Sequence, residues 1–396
     1  MTNPHVSQRA SAALAMTGPI YEFASKSIFA ERAGDPNLCD FAFGNPHEMP
    51  LDGFVHALQT WVVPQNKNWF AYKDNESPAC KTVAESLRKW RGMPFAAEDI
   101  FLTTGAFGAM AVALNALVDP GDEVIFNSPC WFFYEPMIAM VGGTPVRVKT
   151  QPETFDLDLD AIEQAITSKT RAIFVNSPCN PTGRVYPPET LQALARILTE
   201  ASERNGRTIY LLSDEAYSRV IFDGREFPSP VAYYPNTVLI YTYGKVLLTP
   251  GQRIGYIALP PMMPQRERLR DALFIMQIVT GWTFPNALLQ HAIGDLDTLS
   301  IDIAHLQAKR DRMVGALREI GYQVHEPEGT FYLLPRSPLE DDVAFCDLLA
   351  EYDIVCMPGT VVEQPGYFRI SLTANDAMIE RSLAGFERAL KQVART

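Results

Sequence analysis

The stretch YTYGKVLLTPGQRIGY, residues 241 to 256, contains a lysine and an arginine that could take part in chemistry. The neighbours of Lys245 along the chain are Gly, Val, Leu and Tyr. Burial among such residues would depress the pKa of the lysine and make it a usable amine nucleophile. The alternative for a single lysine is a solvated surface charge, so this stretch alone does not decide between the two.

Two further stretches carry polar groups at the ends of predicted strands. SPCNPTG (177 to 183) places Asn180 in a loop, although a plain turn would also explain its prolines and glycine. SDEAY (213 to 217) places Asp214 and Tyr217 at the end of an apolar strand, where a carboxylate is costly unless a positive group meets it. A structural ion pair would do the same, but the three stretches together favour a functional site.

The elements that must position these residues alternate between short β-branched runs and longer helical patterns. This alternation predicts a doubly wound α/β fold with a mostly parallel sheet. The predicted strands are 99–105, 122–129, 171–178, 208–215 and 237–244. Open sheets of this kind bind ligands at the carboxyl ends of their strands. The run RIGYIALP (253–260) begins with its charged residue, so we expect it to be antiparallel and to bring Arg253 to that edge.

The domain organisation follows from a change of pattern near residue 290. Beyond it come a long helical stretch, the short strands GTFYLLP and YFRISL, and a terminal helix. We therefore expect an N-terminal segment (1–45) that joins the small domain, a large domain (46–290), and a small C-terminal α+β domain (291–396).

Composition and charge exclude several classes of function. The net charge is −12 without any Lys/Arg-rich run, which argues against a nucleic-acid partner. The six histidines have no paired metal-ligand spacing, so no metal site is expected. Neither a dinucleotide-binding motif nor a P-loop motif is present, which argues against a nucleotide-binding protein. The six cysteines are scattered, and no stretch resembles a signal peptide or a membrane span. We expect a cytoplasmic protein without a membrane partner.

The order NPTG, then D-x-x-Y, then K-x7-R resembles the fold-type I pyridoxal-phosphate enzymes, specifically the class I/II aminotransferases, over nearly the whole chain. The resemblance implies that Lys245 holds the cofactor aldehyde as a Schiff base and later shuttles a proton. Asp214 would pair with the pyridine nitrogen and keep it protonated, and Tyr217 and Asn180 would hydrogen-bond the 3-oxygen of the ring.

The same resemblance assigns the remaining cofactor contacts. In TTGAFGAM, Gly105, Ala106 and Phe107 would lie beside the cofactor, with the first two N–H groups at a helix start that suits the phosphate. Arg253 and Thr242 would add a guanidinium and a hydroxyl. Tyr72 would reach the phosphate across a dimer interface.

Substrate contacts are implied in the same way. Arg369 in FRISL would clamp the α-carboxylate, and Gly44 in FGNP would lie near it. Trp131 would stack on the cofactor ring and, with Asn180, face the substrate. The alternatives are a core aromatic for Trp131 and a surface charge for Arg369.

Some positions depart from the family pattern. Gly244 stands where Ser or Ala is common, and Ser77 where the family has a glycine beyond Tyr72. Phe107 replaces a lysine with which one group of bacterial aspartate aminotransferases meets the distal carboxylate of the substrate. GAFGAM and FYEPM are more similar to the kynurenine/glutamine transaminase branch. The aromatic run Trp131, Phe132, Phe133 and Tyr134 would therefore suit a neutral or aromatic side chain, unless these rings merely pack the domain.

These observations predict a homodimeric, pyridoxal-phosphate-dependent aminotransferase that moves an amino group from an L-amino acid to a 2-oxo acid in two half-reactions. The N-terminal segment near Gly44 would close over the substrate. A C–S β-lyase, an aminocyclopropane-carboxylate-type synthase or a decarboxylase could use the same cofactor residues. A cofactor-binding sensor domain is a further alternative, but the segment before Phe41 is short and insufficiently basic for a DNA-binding module.

Overall fold

The computed structural model describes residues 5–282 and 284–395. The first four residues of the expected N-terminal segment, Thr283 in the expected large domain and Thr396 in the expected small domain lie outside this range. The helices are α1 Gln8–Met16, α2 Gly18–Lys26, α3 Ile28–Glu31, α4 Asp52–Trp61, α5 Ser77–Arg91, α6 Gly105–Leu117, α7 Tyr134–Met140, α8 Leu159–Ala165, α9 Pro188–Asn205, α10 Tyr243–Val246, α11 Arg266–Val279, α12 Ala287–Leu296, α13 Ile303–Ile320, α14 Asp342–Ala350 and α15 Asp376–Val393. The strands are β1 Cys39–Asp40, β2 Ile100–Thr103, β3 Glu123–Ser128, β4 Thr144–Lys149, β5 Thr170–Asn176, β6 Tyr210–Asp214, β7 Thr237–Thr242, β8 Gly255–Ala258, β9 Tyr332–Leu333, β10 Ile354–Val355, β11 Met357–Pro358 and β12 Phe368–Ser371.

Within the described residues, seven strands form the main sheet in the order β2-β8-β7-β6-β5-β3-β4. The strands β3 to β7 are parallel to one another, whereas β8 is antiparallel to both of its neighbours, β2 and β7. The α/β fold class and the antiparallel direction of RIGYIALP are therefore confirmed. The edge strand β4 was missed, because its sequence TPVRVK is polar and half-exposed and lacks an apolar run.

The main sheet is buried on both faces because neighbouring residues of its central strands point to opposite sides. Phe126 and Phe174 pack with α6, α7 and α11 on one face. Ile125 and Ile173, one position earlier in each strand, pack with α8 and α9 on the other. This two-sided burial explains why the strands are continuous apolar runs rather than alternating ones.

Helix ends follow recognisable sequence signals. The helix α9 starts after Pro187 and ends at Gly206, which has φ 60°. The helix α13 is capped by Asp302, whose side chain accepts a hydrogen bond from the His305 N–H, and it ends at Gly321 with φ 119°. These caps fix the lengths of two long helices that cover the sheets.

Two small sheets lie in what we call the C-terminal part, residues 303–395. One is antiparallel with the order β11-β12-β9, and in the other β10 pairs in parallel with β1 from the N-terminal segment. The helices α13 and α15 pack against both, in a core that also includes Cys39 and Phe41. The strand β12 carries Arg369.

Among residues 5–282 and 284–395, no helix has the length and apolar composition needed to cross a bilayer. In the same ranges, His, Cys, Asp and Glu side chains form no group of three or more that could hold a metal ion.

Candidate active site

A cavity of about 260 Å³ lies between the carboxyl edge of the main sheet and the C-terminal part. Most of the site residues expected from the sequence line it: Gly44, Ala106, Phe107, Trp131, Asn180, Asp214, Tyr217, Thr242, Lys245, Arg253 and Arg369. Gly105 does not line the cavity, although a Cβ on it would lie 3.0 Å from Nη2 of Arg253, which does. The side chain of Tyr72 is fully exposed and does not line the cavity, and the role expected for it requires a second chain.

Strand ends bring these residues together. Asp214 is the last residue of β6 and Thr242 the last of β7, and the loop after β5 carries Asn180. The short helix α10 follows β7 directly, with the Thr242 hydroxyl accepting a hydrogen bond from the Gly244 N–H at 3.4 Å. Lys245 therefore points into the cavity one turn after a sheet edge.

The carboxylate of Asp214 is buried, with the residue 5% exposed. One of its oxygens accepts a hydrogen bond from the Tyr134 hydroxyl at 2.5 Å, and the other accepts one from the Ala216 N–H at 3.2 Å. Burial raises the pKa of Asp214, while the two hydrogen bonds and the charge of Lys245 oppose that shift. The site therefore contains an acid whose ionisation depends on its immediate partners.

Lys245 is half-buried and faces aromatic rings. Its Nζ lies 5.5 Å from the ring centroid of Tyr217 and 5.9 Å from that of Phe331, within range for a cation–π interaction. Burial raises the pKa of the Tyr217 phenol well above its usual value, so the hydroxyl is neutral at pH 7. A Cβ on Gly244 would lie 3.2 Å from the Pro250 Cα, which gives a packing reason for glycine before the lysine.

A positively charged corner lies at the start of α6. Gly105 has φ +75°, and a Cβ there would lie 3.0 Å from Nη2 of Arg253. Arg253 also donates a hydrogen bond from Nη1 to the Pro250 carbonyl at 2.7 Å. A Cβ on Gly255 would overlap the Tyr241 carbonyl oxygen, so glycine is needed where β8 passes this corner. The helix N-terminus and the guanidinium together form a positive site that suits a phosphate.

Arg369 is 2% exposed and reaches the cavity from β12. It donates a hydrogen bond from Nη1 to Asn180 Oδ1 at 3.1 Å and from Nη2 to the Ala42 carbonyl at 3.0 Å. Its guanidinium carbon lies 4.1 Å from the ring centroid of Tyr332. Its Nε has no hydrogen-bond partner among the described residues. Burial lowers the pKa of this guanidinium, and a bound carboxylate would compensate the buried charge.

The loop that carries Asn180 is fixed at both ends. Asn176 accepts a hydrogen bond from the Asn180 N–H at 2.8 Å and donates one to the Asp214 carbonyl at 3.0 Å. Further along, the Gly183 carbonyl accepts hydrogen bonds from the N–H groups of Glu328 and Gly329 at 3.0 and 3.1 Å. Asn176 was missed from the sequence, where its position at the end of β5 was the available signal.

One wall of the cavity is aromatic. Phe107 and Trp131 meet edge to face at 4.9 Å between ring centroids, and Phe132 lines the same wall. The expectation for the other two aromatics of the run needs correction, because Phe133 and Tyr134 do not line the cavity. Tyr134 begins α7 and points behind the wall to Asp214, since its hydroxyl would otherwise be buried without a partner.

The N-terminal segment forms the opposite side. A Cβ on Gly44 would lie 2.6 Å from the Tyr332 hydroxyl and 2.8 Å from a Phe331 ring carbon, so the wall has no space for a larger residue there. Phe43 lines the cavity and packs against the ring of Phe29 at 5.2 Å between centroids. The helices of the segment are thereby in contact with the cavity wall.

Comparisons with known proteins find related sequences and structures. A family-wide model described as "Aminotransferase class I and II" matches residues 36–386. An aspartate/prephenate aminotransferase of Thermus thermophilus is 33% identical over 322 residues, which cover 78% of this chain and 80% of that protein. An aspartate aminotransferase of Thermotoga maritima is 32% identical over 365 residues, covering 90% and 89%. A crystal structure of an aminotransferase from Eubacterium rectale superposes with a TM-score of 0.89 at 29% identity, covering 98% of this chain and 99% of that one.

Proposed function

Because the chain belongs to the class I and II aminotransferases, which depend on pyridoxal phosphate, we propose that it moves an amino group from a neutral or aromatic L-amino acid to a 2-oxo acid. The observation that carries this proposal is the shared cavity. It brings the amine of Lys245, the buried carboxylate of Asp214 and the guanidinium of Arg369 into one space.

The residues present fit the cofactor. Asp214 is a buried carboxylate that needs a positive partner, which a protonated pyridine nitrogen supplies. At another side of the cavity, the N-terminus of α6 and Arg253 suit the phosphate, with the Thr242 hydroxyl beside them. Lys245 provides the amine that binds the aldehyde, and Tyr217 and Asn180 provide polar groups for the ring oxygen. When bound, the cofactor supplies an electron sink for the charge left on the substrate Cα.

The protein side of the chemistry consists of holding the substrate and moving one proton. Arg369 would bind the α-carboxylate through two parallel hydrogen bonds, with Asn180 fixing the plane of the guanidinium. Lys245 Nζ, when it is free, would be the base that takes the proton from the substrate Cα, and as the ammonium it would be the acid that gives a proton back on the same side of the site. The aromatic wall would exclude water from this transfer.

The preference for neutral or aromatic side chains rests on the composition of the cavity wall. Phe107, Trp131 and Phe132 form its aromatic part, joined by Met110 and Phe43. Among the described lining residues, the cationic side chains are Lys245, Arg253 and Arg369, and each has another proposed role. An acidic side chain would thus leave its carboxylate against aromatic rings at a desolvation cost. The names of two relatives mention aspartate, and one also mentions prephenate; these substrates belong to those proteins.

We also propose a cytoplasmic homodimer built on the domain division 1–45, 46–290 and 291–396. The support for a dimer is exposed apolar surface on the large domain. Phe70 and Tyr72 are exposed, as are Ile275 and Val279 on α11, and such surface favours association. Analytical ultracentrifugation would test it: a species at twice the chain mass is expected, and a monomer at micromolar concentration would contradict the proposal.

A visible absorption experiment tests the function directly. Purified protein with pyridoxal phosphate should show the band of lysine-bound cofactor, and a neutral or aromatic L-amino acid should bleach it. Addition of 2-oxoglutarate or pyruvate should then restore the band. No band at all would contradict the Lys245 assignment, and a band that never converts to the amine form would favour a lyase or a sensor. Bleaching by aspartate alone would overturn the proposed side-chain preference.

A further inference from the structure

Tyr134 lies outside the cavity but contacts two residues that form it. The residue is 2% exposed and begins α7. Its hydroxyl donates a hydrogen bond to Asp214 Oδ2 at 2.5 Å. Its ring stacks on Phe174 of β5, with centroids 4.7 Å apart, and meets Trp131 edge to face at 5.6 Å. Tyr134 therefore joins the buried acid to the aromatic residue expected on the cofactor ring.

The hydroxyl of Tyr134 is a fixed donor. Burial raises the pKa of this phenol well above its usual value, so it keeps its proton over the whole working range. Cys130 and Cys179 also face it, and burial raises the pKa of both thiols, so neither is charged there. The other charged groups that face Asp214 are Lys245 and Glu215, with opposite effects on its pKa.

The carboxylate of Asp214 depends on this donor. Its other oxygen accepts a hydrogen bond from the Ala216 N–H at the longer distance of 3.2 Å. Without the Tyr134 hydroxyl, Oδ2 would lose its protein partner while remaining buried, and a buried carboxylate with one hydrogen bond fewer takes up a proton more readily. A protonated Asp214 could no longer hold a positive ring nitrogen.

We propose that Tyr134 is a positioning residue that holds Asp214 as an ionised, oriented carboxylate from behind and fixes Trp131 relative to it. The inference rests on the proposed function, because it assumes that Asp214 and Trp131 face the cofactor. The role of Tyr134 toward Asp214 depends on its hydroxyl, whereas its packing against Phe174 and Trp131 depends on its ring.

The test compares Tyr134→Phe with Tyr234→Phe. Phe keeps the ring stack and removes only the hydroxyl. Tyr234 is an equally buried tyrosine, just before β7 of the main sheet. Its hydroxyl donates a hydrogen bond to the Ile209 carbonyl, and neither residue lines the cavity. Tyr134→Phe loses the hydrogen bond to Asp214, whereas Tyr234→Phe loses the one to Ile209 and a 3.3 Å contact with Ser202 Oγ, so the control should lose at least as much thermal stability. Only Tyr134→Phe should weaken binding of pyridoxal phosphate to the apo-protein and lower kcat, each by about 10- to 100-fold.

Three further measurements separate positioning from a structural role. The KM for the amino acid should change less than about threefold in Tyr134→Phe, because Arg369 is untouched. In an Asp214→Asn background, adding Tyr134→Phe should have little further effect on cofactor affinity, since the carboxylate it serves is gone. Tyr134→His, which restores a ring N–H donor, should recover part of the loss and provides the same comparison if the Phe variant does not fold.

Cofactor affinity and kcat within twofold of wild type in Tyr134→Phe would overturn the inference. So would equal losses in Tyr134→Phe and Tyr234→Phe, since a general loss of stability would then explain both. Wild-type protein that takes up no pyridoxal phosphate would instead overturn the proposed function, and this inference with it.

Discussion

Arg369 on strand β12 donates a hydrogen bond to the side chain of Asn180, which follows strand β5 of the main sheet, over 3.1 Å. The two residues are far apart in sequence and belong to different sheets. Asn180 is also held by Asn176, whose side chain contacts the backbone of Asp214. A continuous chain of hydrogen bonds therefore runs from the proposed carboxylate clamp to the acid proposed to face the cofactor ring.

Substitution Lys245→Ala should abolish turnover without unfolding the protein. The amine that binds the cofactor aldehyde and moves the proton is lost, while the half-buried side chain contributes little to the core. We expect kcat to fall by at least about 1,000-fold. The absorption band of lysine-bound cofactor should also disappear, with an unchanged circular dichroism spectrum. Lys169→Ala removes a charge at an exposed position and should leave both properties intact. Retention of most activity by Lys245→Ala would refute the assignment.

Substitution Arg369→Lys should weaken the binding of both the amino acid and the oxo acid. A lysine cannot contact Asn180 and Ala42 while presenting two parallel donors to a carboxylate. The loss of one charge-assisted hydrogen bond corresponds to about 10- to 100-fold in kcat/KM. The matched control is Arg312→Lys, since Arg312 forms an exposed ion pair with Glu380 on the surface. Steady-state kinetics with the amino acid and with the oxo acid measure kcat/KM for each variant. Equal values in Arg369→Lys and Arg312→Lys would show that Arg369 does not contact the substrate.

Substitution Phe107→Lys should shift the substrate preference towards aspartate. The new ammonium would lie in the aromatic wall beside Trp131, where it could meet a distal carboxylate that now faces only rings. We expect the ratio of kcat/KM for aspartate over phenylalanine to rise at least about 10-fold. Phe107→Gln provides a neutral control of similar length and should not favour aspartate. An unchanged ratio in the lysine variant would show that Phe107 does not face the substrate side chain.

Substitution Gly183→Ala should destabilise the joint between the Asn180 loop and the C-terminal part. Gly183 has φ +73°, and a Cβ there would overlap Pro327 and lie 2.9 Å from the Gly329 carbonyl oxygen. The control is Gly206→Ala, which has φ +60° and nothing within 4 Å of the added carbon. The control should cost about 1–2 kcal/mol of unfolding free energy from backbone strain alone.

The Gly183 variant should cost clearly more than its control and should also raise the KM for substrate, because Asn180 and Arg369 would shift. Thermal denaturation and steady-state kinetics measure the two effects. Equal stability losses in the two variants would mean that the loop relaxes without disturbing the joint.

Substitution Asp223→Asn should reduce stability in a pH-dependent way. Asp223 pairs with Arg310 of α13 through contacts of 2.5 and 3.0 Å, and the hydrogen bond from the guanidinium lowers the pKa of the carboxyl. A carboxyl whose pKa is lower in the folded state stabilises the protein above its unfolded-state pKa, about 3.9. That contribution is lost as the pH falls through the folded-state pKa.

The gap in unfolding free energy between wild type and Asp223→Asn should therefore be constant between about pH 7 and pH 5 and shrink below about pH 4. Its size should be about 1 kcal/mol, because Asp223 is partly exposed and solvent screens the pair. Denaturant titrations at each pH measure it. Glu200→Gln, on the exposed side of α9, should show no such gap. A gap that persists unchanged at pH 3 would contradict the ion-pair explanation.

The sequence was sufficient for the strands whose apolar runs are buried on both faces, and for the antiparallel strand β8. In a parallel strand, the charged first residue of RIGYIALP would lie at the edge of the sheet away from the cavity. The direction of this strand could therefore be inferred from the sequence. The half-exposed β4 gave no such signal, because its partner β3 rather than its own sequence determines its conformation.

That residues at strand ends line one cavity could be predicted, because parallel strands bring their carboxyl ends to one edge. The contact of Tyr134 with Asp214 could not, since only the three-dimensional structure shows that the Tyr134 hydroxyl turns away from the cavity wall to this carboxylate. Asn176 and the contacts of Gly183 with residues 327–329 were missed for the same reason, because they depend on contacts between segments distant along the chain.

The parallel pairing of β1 with β10 has a consequence for biosynthesis. Cys39 leaves the ribosome long before its partner Ile354. All seven strands of the main sheet precede Ile354 and can form before it is made, whereas β1 cannot pair until then. The side of the cavity formed by Gly44 is then completed after the sheet edge that carries Lys245, so a chain translated only as far as β8 can have Lys245 in place and still lack a closed compartment.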